Sequence, residues 1–369
     1  MQDELESRMW LEHHDAFGRW VGAAGRALAT TLRPRRRNGR LSMGTILLAR
    51  RDIAALMDNA AWLDSVETGF RAAAEGRALA PPPMALEAID GAFHAKGASL
   101  MLDRLYVALK LNGNFPLNPD RNGLPTIQGA LLLCDGSNGA LLAIMDSIEI
   151  TLRRTAAATA LAARFLARPD SATVLICGCG EQGAAQLDAL CEVLPLRRAF
   201  AWDRDTAKAR AFAAARCRPG LSVEAVGELR DAAAADVIVT CTTAATPFLE
   251  PGLVADGAFI AAVGADSPHK SEVQPALMKR AMVVADVLAQ CAIMGDLHHA
   301  MKAGAMGADD VHAELHELVA GTKPGRTNDA QIILFDSTGT AMQDVAAAAS
   351  IYARAGQRSG LLSVEMGAA

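Results

Sequence analysis

The chain has 369 residues, 51% of them hydrophobic and 21% charged, the profile of a folded globular protein and not of a disordered or fibrous one. Its length exceeds what one hydrophobic core usually serves, so two domains are expected. A net charge of -5 argues against a nucleic-acid partner, which needs a basic face to neutralise phosphates, and no apolar run reaches the about 18 residues of a membrane span.

Residues 1–42 carry Asp3, Glu4, Glu6, Glu12 and Asp15 and lack a long apolar signal core, which suits neither a transit peptide nor a signal peptide. They form an extension, either genuine or the product of an upstream start codon. A cleaner pattern begins at Met43. From about residue 52 to 77 Ile53, Leu56, Met57, Trp62, Val66 and Phe70 recur at helical spacing, and Pro81-Pro82-Pro83 stops the helix. Short, partly alternating stretches follow at 85–89, 105–111 and 129–134. The pairs Asn112-Gly113, Asn122-Gly123 and Asp135-Gly136 separate them as turns. This texture predicts an antiparallel or mixed sheet with hairpins.

After Ile148 the texture changes. Residues 154–167 read as an alanine-rich helix that ends before Pro169. Then apolar strands at 173–177, 199–202, 236–241, 258–263, 282–286 and 332–335 alternate with helices, and the continuous apolar runs are those of parallel strands buried on both faces. A last helix at 341–355 is expected to pack back on the first domain. The seven cysteines, Cys134, Cys177, Cys179, Cys191, Cys217, Cys241 and Cys291, form no C-x-x-C pair and read as reduced thiols in core or turn positions of a cytoplasmic protein. His298-His299, and His312 with His316 at an i, i+4 spacing, are read as exposed helix residues and not metal ligands, because no H-E-x-x-H arrangement accompanies them.

Gly178-Cys-Gly-Glu-Gln-Gly183 follows an apolar strand and opens a helix, and Asp203 stands twenty residues further on. In this context Gly178 permits the tight turn, Gly180 the approach of a pyrophosphate, and Gly183 close packing of helix on strand. The helix N-terminus favours the diphosphate charge. Asp203 suits ribose hydroxyls and repels a 2'-phosphate, so NAD(H) is the preferred cofactor, with NADP(H) kept open by the adjacent Arg204. The fold class is therefore α/β: a Rossmann doubly wound parallel sheet over 153–339, plus a discontinuous α+β dimerisation and substrate domain over 43–152 and 340–369.

Lys110-Leu-Asn-Gly-Asn-Phe-Pro116, Gly123-Leu-Pro-Thr-Ile-Gln128, Arg154-Thr-Ala-Ala157, Ala262-Val-Gly-Ala-Asp-Ser-Pro-His-Lys270 and Phe335-Asp-Ser-Thr-Gly339 resemble the ornithine cyclodeaminase/mu-crystallin family, in its order, from about Met43 to the C-terminus. The resemblance implies a homodimer that moves a hydride at the Cα–N bond of a small amino or imino acid. It implies Asp266 as catalytic acid, and Lys110, Arg154, Arg77 and Thr338 at the substrate, with Lys110 binding its carboxylate or donating a proton. It further implies cofactor contacts at Thr126, Arg154, Thr155, Gly178, Gly180, Glu181, Gln182, Gly183, Asp203, Thr242, Val263, Gly264, Lys270 and Ser337. Chemically, a guanidinium holds a carboxylate with two parallel hydrogen bonds, and an acid at the carboxyl end of a parallel strand sits where such sheets bind ligands. The bland alternatives are a solvated strand-edge lysine for Lys110, a helix cap for Asp266 and a surface arginine for Arg77. Family members that cyclise ornithine have a glutamate near the position of His94; here residues 92–97 hold no acid. That departure favours reduction of a cyclic ketimine, pyrroline-2-carboxylate to L-proline, over ornithine cyclisation. Alanine dehydrogenation and a non-catalytic ligand-binding role remain behind them.

Overall fold

The computed structural model describes residues 44–366; the 1–42 extension lies outside them. The described residues divide into two compact units, 44–61, 68–151 and 341–366 in one, 62–67 and 152–340 in the other.

In the first unit Thr45–Leu48 (β1) leads into Arg50–Leu56 (α1) and Asn59–Ala74 (α2). The single helix expected over 52–77 is thus two. Asp58 breaks it: its side chain accepts from Ala61 N at 2.8 Å, an N-cap that restarts the helix after the extended Met57. Strands Ala78–Leu79 (β2), Met84–Ala88 (β3), Gly91–Met101 (β4) and Leu105–Asn114 (β5) follow, then the short helix Asn118–Asn122 (α3), Ile127–Asp135 (β6) and Leu141–Asp146 (β7). β4 is the longest of these, yet its Gly-Ala-Phe-His-Ala-Lys-Gly-Ala-Ser run carries few residues that favour strands by themselves. Its ladders with β3 and β5 hold it. Asn112-Gly113 is not a turn but lies inside β5, paired with Gly129 and Gln128. A Cβ on Gly113 would stand 3.0 Å from the Phe93 ring and 3.1 Å from that of Phe115, so glycine here makes room for rings. Asp135-Gly136 does turn, with Gly139 N donating to Asp135 O at 2.8 Å.

The helix Ser147–Leu166 (α4) then carries the chain into the second unit. There Thr173–Cys177 (β8), Glu181–Cys191 (α5), Arg198–Trp202 (β9), Thr206–Arg216 (α6), Ser222–Ala225 (β10), Val237–Thr240 (β11) and Phe259–Ala262 (β12) alternate as expected. Pro275–Arg280 (α7), Met282–Ala285 (β13), Leu288–Met294 (α8), Asp296–Lys302 (α9), Ala313–Glu314 (β14), Leu315–Ala320 (α10) and Ile333–Asp336 (β15) complete the unit. Its sheet runs β10-β9-β8-β11-β12-β15-β13-β14, every pair parallel. The order reverses between β8 and β11, the switch point outside which such sheets bind nucleotides. All four residues of β11, β12 and β15 are buried, which is why these strands read as unbroken apolar runs.

Finally Ala341–Ala355 (α11) returns to the first unit and packs on β4 and β5, and Ser363–Val364 (β16) pairs antiparallel with β1. The first sheet is then β16-β1-β7-β6-β5-β4-β2, with β3 also on β4. All seven cysteines are unpaired. Burial pushes the thiols of Cys177, Cys241 and Cys291 well up and that of Cys179 to about 12, so these four are not nucleophiles. Cys217 alone is exposed, away from the core and turn setting expected for it.

Candidate active site

In the second unit the glycine turn has the geometry its sequence implies. Gly178 has φ +106, and a Cβ there would stand 2.7 Å from Cys241 O. Gly183 leaves no room either: its Cβ would be 2.1 Å from Gly178 O. Gly180 is the opposite case. It caps α5, and a Cβ on it would meet nothing within 4 Å. That open space before the N–H groups of an 11-residue helix has the room and the donors a pyrophosphate needs. Gln182, on the first turn, has a buried Nε2 with no partner among the described residues, a donor that suits the same anion. Asp203 follows β9 and accepts from Cys179 N at 2.9 Å and Asp205 N at 2.9 Å, which fixes its carboxylate beside the turn. Glu181 and Arg204 are exposed. These residues fit a dinucleotide.

Further along the carboxyl ends of the strands, Thr242 and Gly264, the latter directly after Val263, are drawn together by a residue that carries no motif in the sequence. Glu272, fully buried, accepts from Thr242 N at 2.6 Å and Gly264 N at 2.8 Å. Burial first, and the negative charge of Asp296 second, raise its carboxyl to about 7. Asp296 in turn accepts from Glu272 N at 2.8 Å and Val273 N at 3.1 Å. Asp286 organises the loop after β15: Gly339 N donates to it at 2.7 Å, Thr338 Oγ1 at 3.1 Å and Ser337 Oγ at 3.3 Å. Thr338 Oγ1 also accepts from Gln290 Nε2 at 2.7 Å. Acids standing directly after or at the end of apolar strands, as Asp286 and Asp336 do, were the available signal for this buried set.

Arg154 lies mid-way along α4 and not on its first turn, because the helix begins seven residues earlier at Ser147. Only 4% exposed, its guanidinium lies against Gly339, where a Cβ would stand 2.5 Å from Nη1. Thr155 is buried beside it. Asp266 follows β12 through Gly264; its side chain is 54% exposed and pairs with Lys270 Nζ at 2.6 Å. His299 Nε2 bonds Lys270 O at 2.8 Å and His298 Nδ1 bonds Ala292 O at 3.1 Å, so this pair is half-buried and structural where exposure was expected. His312 precedes β14 and is off the helix on which it was placed, because α10 starts only at Leu315; it bonds Pro324 O at 2.9 Å.

The first unit carries Lys110, Arg77 and Thr126. Lys110 is 4% exposed and so is not a solvated strand edge. Its Nζ lies 2.7 Å from Asp344 Oδ2, on the first turn of α11, and donates to Thr151 Oγ1 at 3.2 Å. An ammonium held in so closed a setting keeps one orientation. Arg77 is tied to Glu75 at 2.7 Å and to the Met101 carbonyl. Thr126 stands just before β6, its carbonyl accepting from Phe115 N at 2.8 Å.

The model of the ornithine cyclodeaminase/mu-crystallin family matches residues 43–359. The chain belongs to this family. Among solved ornithine cyclodeaminase/mu-crystallin-like structures, an archaeal alanine dehydrogenase dimer with bound NAD is 36% identical, with a TM-score of 0.83 over 87% of this chain and 99% of that one. The Δ1-pyrroline-2-carboxylate reductase of Thermococcus litoralis, in complex with NADH and L-proline, is 31% identical with a TM-score of 0.83, over 87% and 100%. The iminosuccinate reductase of Paracoccus denitrificans is 35% identical over 83% of this chain and 95% of its own length.

Proposed function

We propose that this member of the family is an NAD(H)-dependent oxidoreductase that reduces a 2-imino acid at its Cα–N bond. The observation that carries the reading is the nucleotide cradle at Gly178–Gly183 with Asp203 fixed beside it. The relatives named above support it, since dehydrogenating an amino acid and reducing an imino acid both change the order of the Cα–N bond. NADH held in the cradle supplies a hydride to Cα. Asp266, as the carboxylic acid, protonates the imine nitrogen to an iminium, and as the hydride reaches Cα the C=N electron pair moves to nitrogen, leaving a neutral amine. Arg154 on the second unit and Lys110 on the first are each candidates for the substrate carboxylate, and the carboxylate left on Asp266 stabilises the positive charge of the iminium; Arg77 and Thr338 are further candidates for substrate contact, and Thr126, Thr155, Lys270 and Ser337 for the cofactor. No acid in 92–97 offers a seat to a distal ammonium, so the ornithine reaction is disfavoured and the imine enters preformed, with pyrroline-2-carboxylate as the reference substrate.

A panel tests this. Purified protein with NADH is given pyrroline-2-carboxylate, pyruvate with ammonium and oxaloacetate with ammonium, and separately NAD with ornithine. NADH oxidation with at least one imine is expected. Proline formed from ornithine at a higher rate than from pyrroline-2-carboxylate, or no NADH oxidation with any of them, overturns the proposal.

The working unit is a dimer. The face of the first sheet opposite Lys110 exposes Leu109 and Leu111 at 48% and 42%, with Phe93 at its margin. A contiguous apolar face of this kind marks an interface, and a second copy of the chain is its occupant; the archaeal alanine dehydrogenase relative is a dimer. Sedimentation is expected to find a dimer that Leu111→Glu converts to monomer; a monomeric wild type would refute it. The seven free thiols support a cytoplasmic location, and among the described residues no helix is long and apolar enough to cross a membrane.

A further inference from the structure

The segment that carries Asp266 is anchored at both ends on buried acids. Upstream, Gly264 N donates to Glu272 Oε2 at 2.8 Å. Downstream, Ser271 Oγ, Glu272 N and Val273 N donate to Asp296 Oδ1 at 3.1, 2.8 and 3.1 Å. Between these anchors the chain leaves the core, and Asp266, Pro268 and His269 are exposed. The bonds made there are local: Asp266 N to Gly264 O at 3.0 Å, Lys270 N to Ser267 O at 3.1 Å, and Lys270 Nζ to Asp266 Oδ1 at 2.6 Å. Among the described residues, the one hydrogen bond that reaches 265–270 from another element joins His299 Nε2 to Lys270 O at 2.8 Å. A carbonyl oxygen only accepts, so Nε2 carries the proton. His299 stands on α9 three residues after Asp296 and therefore on the same face, so one helix face receives the chain from Lys270 to Val273. The adjacent His298 turns away: its Nδ1 bonds Ala292 O on α8 at 3.1 Å, and its ring meets that of His299 edge-on.

We infer that His299 is a positioning residue for the proposed reduction: its bond to the Lys270 carbonyl fixes where the Lys270 ammonium stands, and that ammonium orients the Asp266 carboxyl. The inference rests on the proposed proton transfer by Asp266 and deepens it. The carbonyl and the side chain of Lys270 share one Cα, so a carbonyl held by the imidazole limits rotation of the residue that bears both. Nζ in turn holds Asp266 Oδ1, and fixing one oxygen sets the plane of the carboxyl and the direction of the other. The Asp266 side chain is 54% exposed, and an exposed ion pair is weak by itself, so the pair does not hold the loop without the outside bond. A group that transfers a proton has to stay within about 0.5 Å of its working position, and His299 supplies that restraint.

The test measures kcat and KM at saturating NADH, with the best imine of the panel, in the wild type, His299→Leu and His299→Gln. Leucine removes the donor and should lower kcat about tenfold, the scale of one hydrogen bond. The imine KM should stay the same, because Arg154 and Lys110, the candidates for the substrate carboxylate, are not in the loop. Glutamine places an amide N–H at a similar reach and should recover most of kcat. In a Lys270→Met background the link to Asp266 is already broken, so adding His299→Leu should cost less than a further twofold; a purely structural histidine would cost the same in both backgrounds. His299→Asn, polar but too short to reach the carbonyl, provides the comparison should leucine unfold the protein. An unchanged kcat in His299→Leu, no recovery in His299→Gln, or a full tenfold loss again in Lys270→Met overturns the inference and leaves the reduction standing. Absence of NADH oxidation with every imine overturns the reduction, and amide hydrogen exchange then decides the restraint alone: exchange over 265–270 should quicken in His299→Leu and return towards the wild type in His299→Gln, and equal exchange in all three overturns it.

Discussion

Asp266→Asn is expected to lower kcat by about two to four orders of magnitude, the range for removal of a group that transfers the proton, while NADH binds as before. The structure separates these two outcomes. Asp266 is half-exposed and its partner is Lys270, four residues on, and an exposed ion pair contributes at most about 1 kcal/mol to stability. The residues of the nucleotide cradle do not depend on it: Asp203 is tied to Cys179 and Asp205, and Gly264 to Glu272. The asparagine variant should therefore fold, quench or shift NADH fluorescence at the same concentrations as the wild type, and fail in turnover. Full activity in Asp266→Asn would falsify the proposed proton transfer. Equal loss of turnover and NADH affinity would do the same, since it would place Asp266 in cofactor binding instead.

The second unit was legible because its physics is local. A parallel strand buried on both faces has to be apolar throughout, and a helix opening at Gly180 has to be preceded by residues without side chains in the way. Both demands are written in consecutive residues. The first unit was harder. β4 is rich in glycine and alanine, it is held by its ladders to β3 and β5, and nothing in 91–101 by itself distinguishes a strand from a loop. Asn112-Gly113 carried a turn signal that lost to the packing of Phe93 and Phe115 around the glycine. The buried carboxylates were less visible still. Glu272 stands eight residues from Gly264 and thirty from Thr242, and Asp286 fifty-three from Gly339. Their partners are backbone N–H groups, which leave no signature in a sequence. Lys110 shows the middle ground: its residue type and motif were readable, but its burial against Asp344 follows from α11, which arrives more than two hundred residues later.

Glu272 leads to a pH dependence in which stability and cofactor affinity move in opposite directions. The titratable groups near it are Asp296 on α9 and the thiols of Cys241 and Cys177, both thiols being held protonated by burial. Glu272 rises from 4.5 to about 7 on folding. A folded value above the unfolded one means that its stabilising effect is complete below about 4.5 and is lost as pH rises through about 7; the full shift corresponds to about 3 kcal/mol. Yet only the carboxylate offers two strong acceptors to Thr242 N and Gly264 N, and these two loops carry proposed cofactor contacts. Protonation turns one oxygen into a donor facing an N–H. NADH affinity is therefore expected to tighten about tenfold between pH 6 and 8, the scale of a hydrogen bond to a charged group, while the melting temperature falls over the same interval. Glu272→Gln removes the titration, and both curves should flatten over that interval, with affinity near the low-pH level of the wild type. A wild-type NADH affinity that does not change between pH 6 and 8, or a dependence that survives in Glu272→Gln, would show that this carboxyl does not govern the cofactor loops. The price of keeping a charge at the base of the nucleotide site is then a fold that is less stable at the pH where it binds best.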